Sequence, residues 1–142
     1  MMRYALCAAL IAAISPQASQ ADDLIAAYFV ELGPQDFYNS RGARLGNVFG
    51  IFQQDRANFH KFGIRHGGDS PDPVFTTPAM RAKIPELLSR GNGAAWSDVA
   101  DMDPERAARP GFADYRVSIC GRGGAVTYMF IDYADGDGYG SC

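Results

Sequence analysis

The sequence predicts an α+β domain. A small antiparallel sheet of two to four strands is dominated by a C-terminal hairpin (112–120 and 125–133), and helices at about 46–62 and 78–90 pack on one face. Three observations predict it. Phe112 to Cys120 alternates, with Tyr115, Val117 and Ile119 on one side, and Ala125 to Tyr133 is rich in β-branched and aromatic residues. Gly121-Arg122-Gly123-Gly124 joins these runs as a short glycine loop, the mark of an antiparallel hairpin. At about 100° per residue, Leu45, Val48, Ile51, Phe52, Phe59 and Phe62 share one broad side of a single long helix.

In chain order, residues 1–21 are expected to be a cleaved signal peptide. Arg3 supplies the positive start, Tyr4 to Ile14 the apolar stretch, and Ser19-Gln20-Ala21 the small residues of a peptidase site. The apolar run is too short to span a bilayer, and no later segment approaches the length a spanning helix needs. Residues 22–142 form a single small globular domain, addressed to the periplasm or the exterior by bacterial-type secretion. Removing Arg3 takes the formal charge from −3 to −4, which asks for neither nucleic acid nor an anionic membrane. Residues 41–90 carry eight basic side chains against four acidic, and residues 91–142 carry four against eight, so the acidic ends are expected to fold against the basic middle.

The segment Asp23 to Leu32 reads as helix or strand. Tyr28-Phe29-Val30 before Gly33-Pro34 tilts it to a strand over 27–32. Gly33 to Arg44 is a turn-rich loop under which Phe37 and Tyr38 are expected to tuck. Asn47 is the expected N-cap of the long helix, although Leu45 suggests an earlier start, and Gly63 is its C-terminal stop. Gly50 within it suggests a closely packed second backbone. After the long 63–76 loop, Thr77-Pro78 starts the second helix on a Met80, Ile84, Leu87 and Leu88 stripe, which Pro85 should kink or split. Asp103-Pro104 marks another short start, and Trp96 is expected to fill the core. Outside the signal peptide, Cys120 and Cys142 are the only cysteines. In an oxidising compartment they read as one disulfide that pins the glycine-rich tail to a strand, contributing on the order of 3 kcal/mol.

The candidates for chemistry are few. Asp55 interrupts the apolar side of the long helix, where a carboxylate must find donors or shift its pKa. The structural reading pairs it with backbone N–H groups or with Arg41, Arg44 or Arg116. The functional reading makes it a general acid or base together with His60 or His66. Both histidines read more simply as surface residues at a helix end, and their spacing with Asp69 and Asp72 fits no metal motif. The Asp132, Asp135 and Asp137 tail resembles an Asp/Gly-rich calcium loop. Placing Gly138 at position 6 of an EF-hand puts Tyr133 at position 1 and leaves no residue for position 12. There is no Gly-x-Ser-x-Gly and no phosphate-binding glycine loop. The expectation is therefore a small secreted, disulfide-containing, non-catalytic binding or envelope-associated module without a cofactor, calcium being the one considered. Its partner would be another protein or an envelope component. The alternative is a small hydrolase-like enzyme using Asp55 with His60 or His66.

Overall fold

The computed structural model describes residues 21–91, 93, 95–136 and 140–142; the expected signal peptide thus lies outside the described residues, Ala21 excepted. The expected α+β architecture is present: three antiparallel strands in the order β1-β2-β3, with helices packed against them. Strand β1 is Asp23–Glu31, β2 is Asp114–Arg122 and β3 is Ala125–Tyr133. The hairpin turns on Gly123 and Gly124, whose φ values of 58° and 82° are the two positive dihedrals that a two-residue loop of matching twist requires. β1 crosses the whole chain to pair with β2, Tyr28 facing Val117 and Val30 facing Tyr115. The hairpin thereby gains the third strand it needs to be stable. The ambiguous N-terminal segment is thus a strand, and it starts earlier than the sequence pattern suggested.

Between the strands lie a 3-10 turn (Pro34–Phe37) and helices α1 (Val48–Ala57), α2 (Pro78–Arg81), α3 (Ile84–Arg90), α4 (Trp96–Ala100) and α5 (Pro104–Ala107). The caps are where the sequence placed them: the side chains of Asn47, Thr77 and Asp103 accept from the Gly50, Met80 and Glu105 amides. The expected 78–90 helix is split ahead of Pro85, which sits in the first turn of α3. Beyond Ala57 the long helix continues as a π-helical turn, Asn58–Phe62, closed by Gly63 at φ 68°. That wider turn rotates the residues after it out of the 3.6-residue phase. Asn58 and Phe59 are both buried, and Phe62, expected on the apolar side, is 47% exposed.

The core fills the space between the sheet's inner face (Tyr28, Val30, Tyr115, Val117, Ile119, Met129, Ile131) and the apolar residues of α1 and α3. Each sheet edge is covered over part of its length. Ser70 pairs with the outer edge of β1 like a one-residue strand, its Oγ accepting from the Phe29 amide at 2.7 Å and its amide donating to the Phe29 carbonyl at 3.0 Å. Against β3, Gly91 lies so close that a Cβ there would fall 1.8 Å from the Met129 carbonyl oxygen. Where the chain lies against them, the edges offer no template for pairing with another chain. Three expectations change. Trp96 is half-buried at the rim of the core, edge-on to Phe49, because α4 is a five-residue turn on its border. Gly50 has no second backbone nearby; the nearest atoms to a Cβ there are side-chain atoms of Leu45 and Asn47. Tyr38 is 41% exposed while Phe37 is buried, since the 3-10 turn ends between them. On the far side of the sheet the Cys120 and Cys142 sulfurs lie 2.01 Å apart, and Gly140 donates to Asp132 at 2.9 Å, so the tail is laid back over the strands.

Candidate functional site

Residues 48, 51, 52, 55 and 56 form the buried stripe of α1, so its last two members, Asp55 and Arg56, are both driven into the interior. Arg56 is the hub. Its guanidinium stacks on Tyr28 and Phe59 at 4.3 and 4.7 Å from the ring centres. Its Nε donates to Asp55 Oδ2 at 2.6 Å, and Nη1 donates to the Ser70 carbonyl at 3.1 Å and to Asp72 Oδ2 at 3.2 Å. Asp55 therefore finds an arginine, as the structural reading required, but the partner is its own neighbour rather than Arg41, Arg44 or Arg116. Arg44 instead donates to the carbonyls of Phe37, Leu45 and Met102, clamping loops together. The basic middle of the chain satisfies its buried cation with its own acids. The Arg122–Asp22 pair at 2.7 Å joins the two ends of the domain to each other rather than to the basic middle.

The neighbouring carboxylates hold the loops. Asp72 Oδ1 accepts from the Val74 and Phe75 amides, an Asx turn set up by Pro71 and Pro73, while Oδ2 meets His60 Nε2 at 2.8 Å. Asp36 accepts from the Gly33 amide at 2.8 Å and from Asn58 Nδ2 at 2.7 Å. Asp69 accepts from the amides of Glu31 and His66. His66 Nδ1 lies 3.5 Å from Asp36 and 3.6 Å from Asp69, and its ring packs so tightly on Gly33 that a Cβ there would fall 2.1 Å from Nε2. Neither histidine is the surface residue expected at a helix end. Their side chains are only 12% and 19% exposed, because the π turn swings His60 toward Asp72 and the 66–69 turn folds His66 back over Gly33.

The electrostatics follow from burial. Burial pushes the Asp55 carboxyl up to about 8; Arg56 opposes this and the Asp36 charge adds to it. Asp36 is also raised by burial, against the Gly33 amide, Asn58 and His66. At Asp72 burial acts upward too, but the hydrogen bonds from His60 and the Phe75 amide and the Arg56 charge outweigh it, and the carboxyl lies below its ordinary range. Asp55 is 1% exposed and offers a substrate no approach. The hydrolase alternative therefore draws no support from this geometry.

What does open to solvent is a cleft beside the network, about 520 Å³ in volume. One wall is the 34–40 loop with Gln35, Tyr38, Asn39 and Ser40; the other is the end of the long helix with Gln54, Asn58 and Phe62. A second groove of about 360 Å³ continues from it, sharing Asn39, Ser40, Gln54 and Phe62 and running toward Lys61 and Arg81. The buried network sets the walls. Asn58 donates to Asp36 behind it and accepts from Gln54 Nε2 at 2.9 Å, while Gln35 Oε1 meets His66 Nε2 at 3.3 Å.

Of the calcium candidates, Asp132 is engaged by Gly140, Asp135 is exposed, and Asp137 lies outside the described residues. Among the described residues, no group of three or more His, Cys, Asp or Glu is placed to share a metal ion, and no helix is long and apolar enough to cross a membrane. Sequence reasoning missed Arg56, Asp36 and Asn58. The i, i+3, i+4, i+7, i+8 stripe from Val48 would have flagged Arg56. Asn58 was hidden by the π turn. No family model, no curated protein and no solved structure matches the chain.

Proposed function

We propose that the protein is exported and works outside the cytoplasm as a non-catalytic binding module, with the cleft between the 34–40 loop and the end of the long helix as its ligand surface. One observation carries the reading. The carboxylates near the cleft, Asp36, Asp55 and Asp72, are at most 4% exposed and committed to loops or to Arg56, while His66 beside the cleft is engaged by Gln35 and His60 by Asp72. The open cleft is lined by amides, a serine and aromatic rings, which bind but do not react. Export is supported by the leader-like residues 1–21 and by both remaining cysteines standing at bonding distance. The partner would be an envelope component or another secreted molecule.

The test is to map a library of small neutral and charged molecules on the protein by amide chemical shifts. Hits should perturb the side-chain amides of Gln35, Asn39 and Gln54. Hits confined to a separate groove of about 310 Å³, lined by Asp98, Asp103, Arg106 and Tyr133, or centred on His60 and Asp72, would sink the reading. N-terminal sequencing of the exported protein should give Asp22 as the first residue.

A further inference from the structure

We infer that the occupant of the cleft is a neutral glycan, held by hydrogen bonds to hydroxyl or acetamido groups and by contact of pyranose rings with Tyr38 and Phe62; this rests on the cleft being the binding surface. Among the described residues lining the 520 Å³ cleft there is no acid, lysine, arginine or histidine, so a charged ligand would meet no counter-charge from them. A purely hydrocarbon ligand would cut the amides of Gln35, Asn39 and Gln54 off from water, at a cost that their contact with solvent now avoids. A carboxamide both donates and accepts, and so does every sugar hydroxyl, so the two match without a charge on either side.

The amides are also pre-aimed. A relay from the buried Asp36 carboxylate through Asn58 fixes Gln54, and His66 fixes Gln35, so little side-chain freedom is lost on binding. The two rings, 41% and 47% exposed, stand on the two walls where the apolar C–H faces of a pyranose can pack. A peptide also matches amides, but extended peptides are commonly taken up along an open sheet edge. Here β1 is occupied by Ser70 and Asp69, and β3 by the chain at Gly91. The second groove continues the first through shared residues but carries Lys61 and Arg81, so the neutral rings are assigned to the first groove.

The experiment titrates the protein separately with N,N′-diacetylchitobiose, cellobiose and N-acetyl-trialanine amide, following the side-chain amides of Gln35, Asn39 and Gln54. The expected result is saturable shifts with at least one disaccharide, insensitive to added salt. Tyr38→Ala and Phe62→Ala should each weaken binding about tenfold. Their melting temperatures should be unchanged, and Phe112→Ala, an exposed ring elsewhere, should bind like the wild type. If the peptide shifts these amides and neither sugar does, the glycan inference is overturned while the cleft remains the binding surface. If no probe perturbs the cleft, both fall.

Discussion

The long helix buries two kinds of surface within eleven residues, Val48 to Asn58. Its first half, Val48, Ile51 and Phe52, meets the sheet and α3 through apolar contact, while its second half, Asp55, Arg56 and Asn58, meets loops through directed hydrogen bonds. The residues compared are at most 5% exposed, so burial does not distinguish the halves. Directionality does. Apolar contact holds elements that bring a face of their own, as the β-strands and α3 do. The 33–37 and 66–75 loops have little such face, and they are held where a carboxylate can accept from their backbone. The difference teaches why the cleft sits at the polar end: loops fixed by hydrogen bonds can leave a groove between them that an apolar core would close.

Arg56→Ala should break the comparison most sharply, costing about 3–5 kcal/mol above about pH 8, where Asp55 and Asp72 are both ionised and left buried without their cation. Urea unfolding should show this cost shrinking as pH falls and the carboxylates are neutralised; a pH-independent loss would count against the network. Leu88→Ala, on the apolar side, should cost about 2–5 kcal/mol by cavity formation, equally at every pH. Gly91→Ala should cost about 1–3 kcal/mol, since its methyl meets the Met129 carbonyl and α3 must move off β3; an unchanged melting temperature would refute the close approach.

The smallest effect is the most specific. Asp55 has a folded pKa of about 8, above its ordinary value of 3.8. The folded state therefore binds this proton more tightly than the unfolded chain. Its contribution is fully present below the unfolded pKa and is lost as pH rises through 8. Asp72, held low, acts the other way, its contribution being lost only as pH falls through its depressed folded pKa. Comparing Asp55→Asn with the wild type cancels the other titrations, and the variant should lose less stability between about pH 5 and pH 8. Parallel curves would show that Asp55 does not titrate there. Asp55→Asn should also leave ligand binding at the cleft intact, whereas Asn58→Ala should weaken it by releasing Gln54.

Much of the fold was legible residue by residue. The Gly123-Gly124 turn, the Asn47, Thr77 and Asp103 caps and the Gly63 stop are where local chemistry put them, because each acts within a few residues of itself. Asp55 was legible as an anomaly on an apolar stripe, and the need for a partner followed from the cost of burying a lone charge. Which partner did not follow, since any of several arginines could have met it. Only the tertiary structure decided that the cation is Arg56, that Asp72 meets it from 16 residues along the chain, that Asp36 meets Asn58 across 22 residues, and that His60 is drawn inward. Local signals determine turns and helix ends because their hydrogen bonds close over short stretches of chain. Partners of buried charges are selected by packing, and the one-residue shift of a π turn, silent in sequence periodicity, is enough to change which side chains face the interior and which face the cleft.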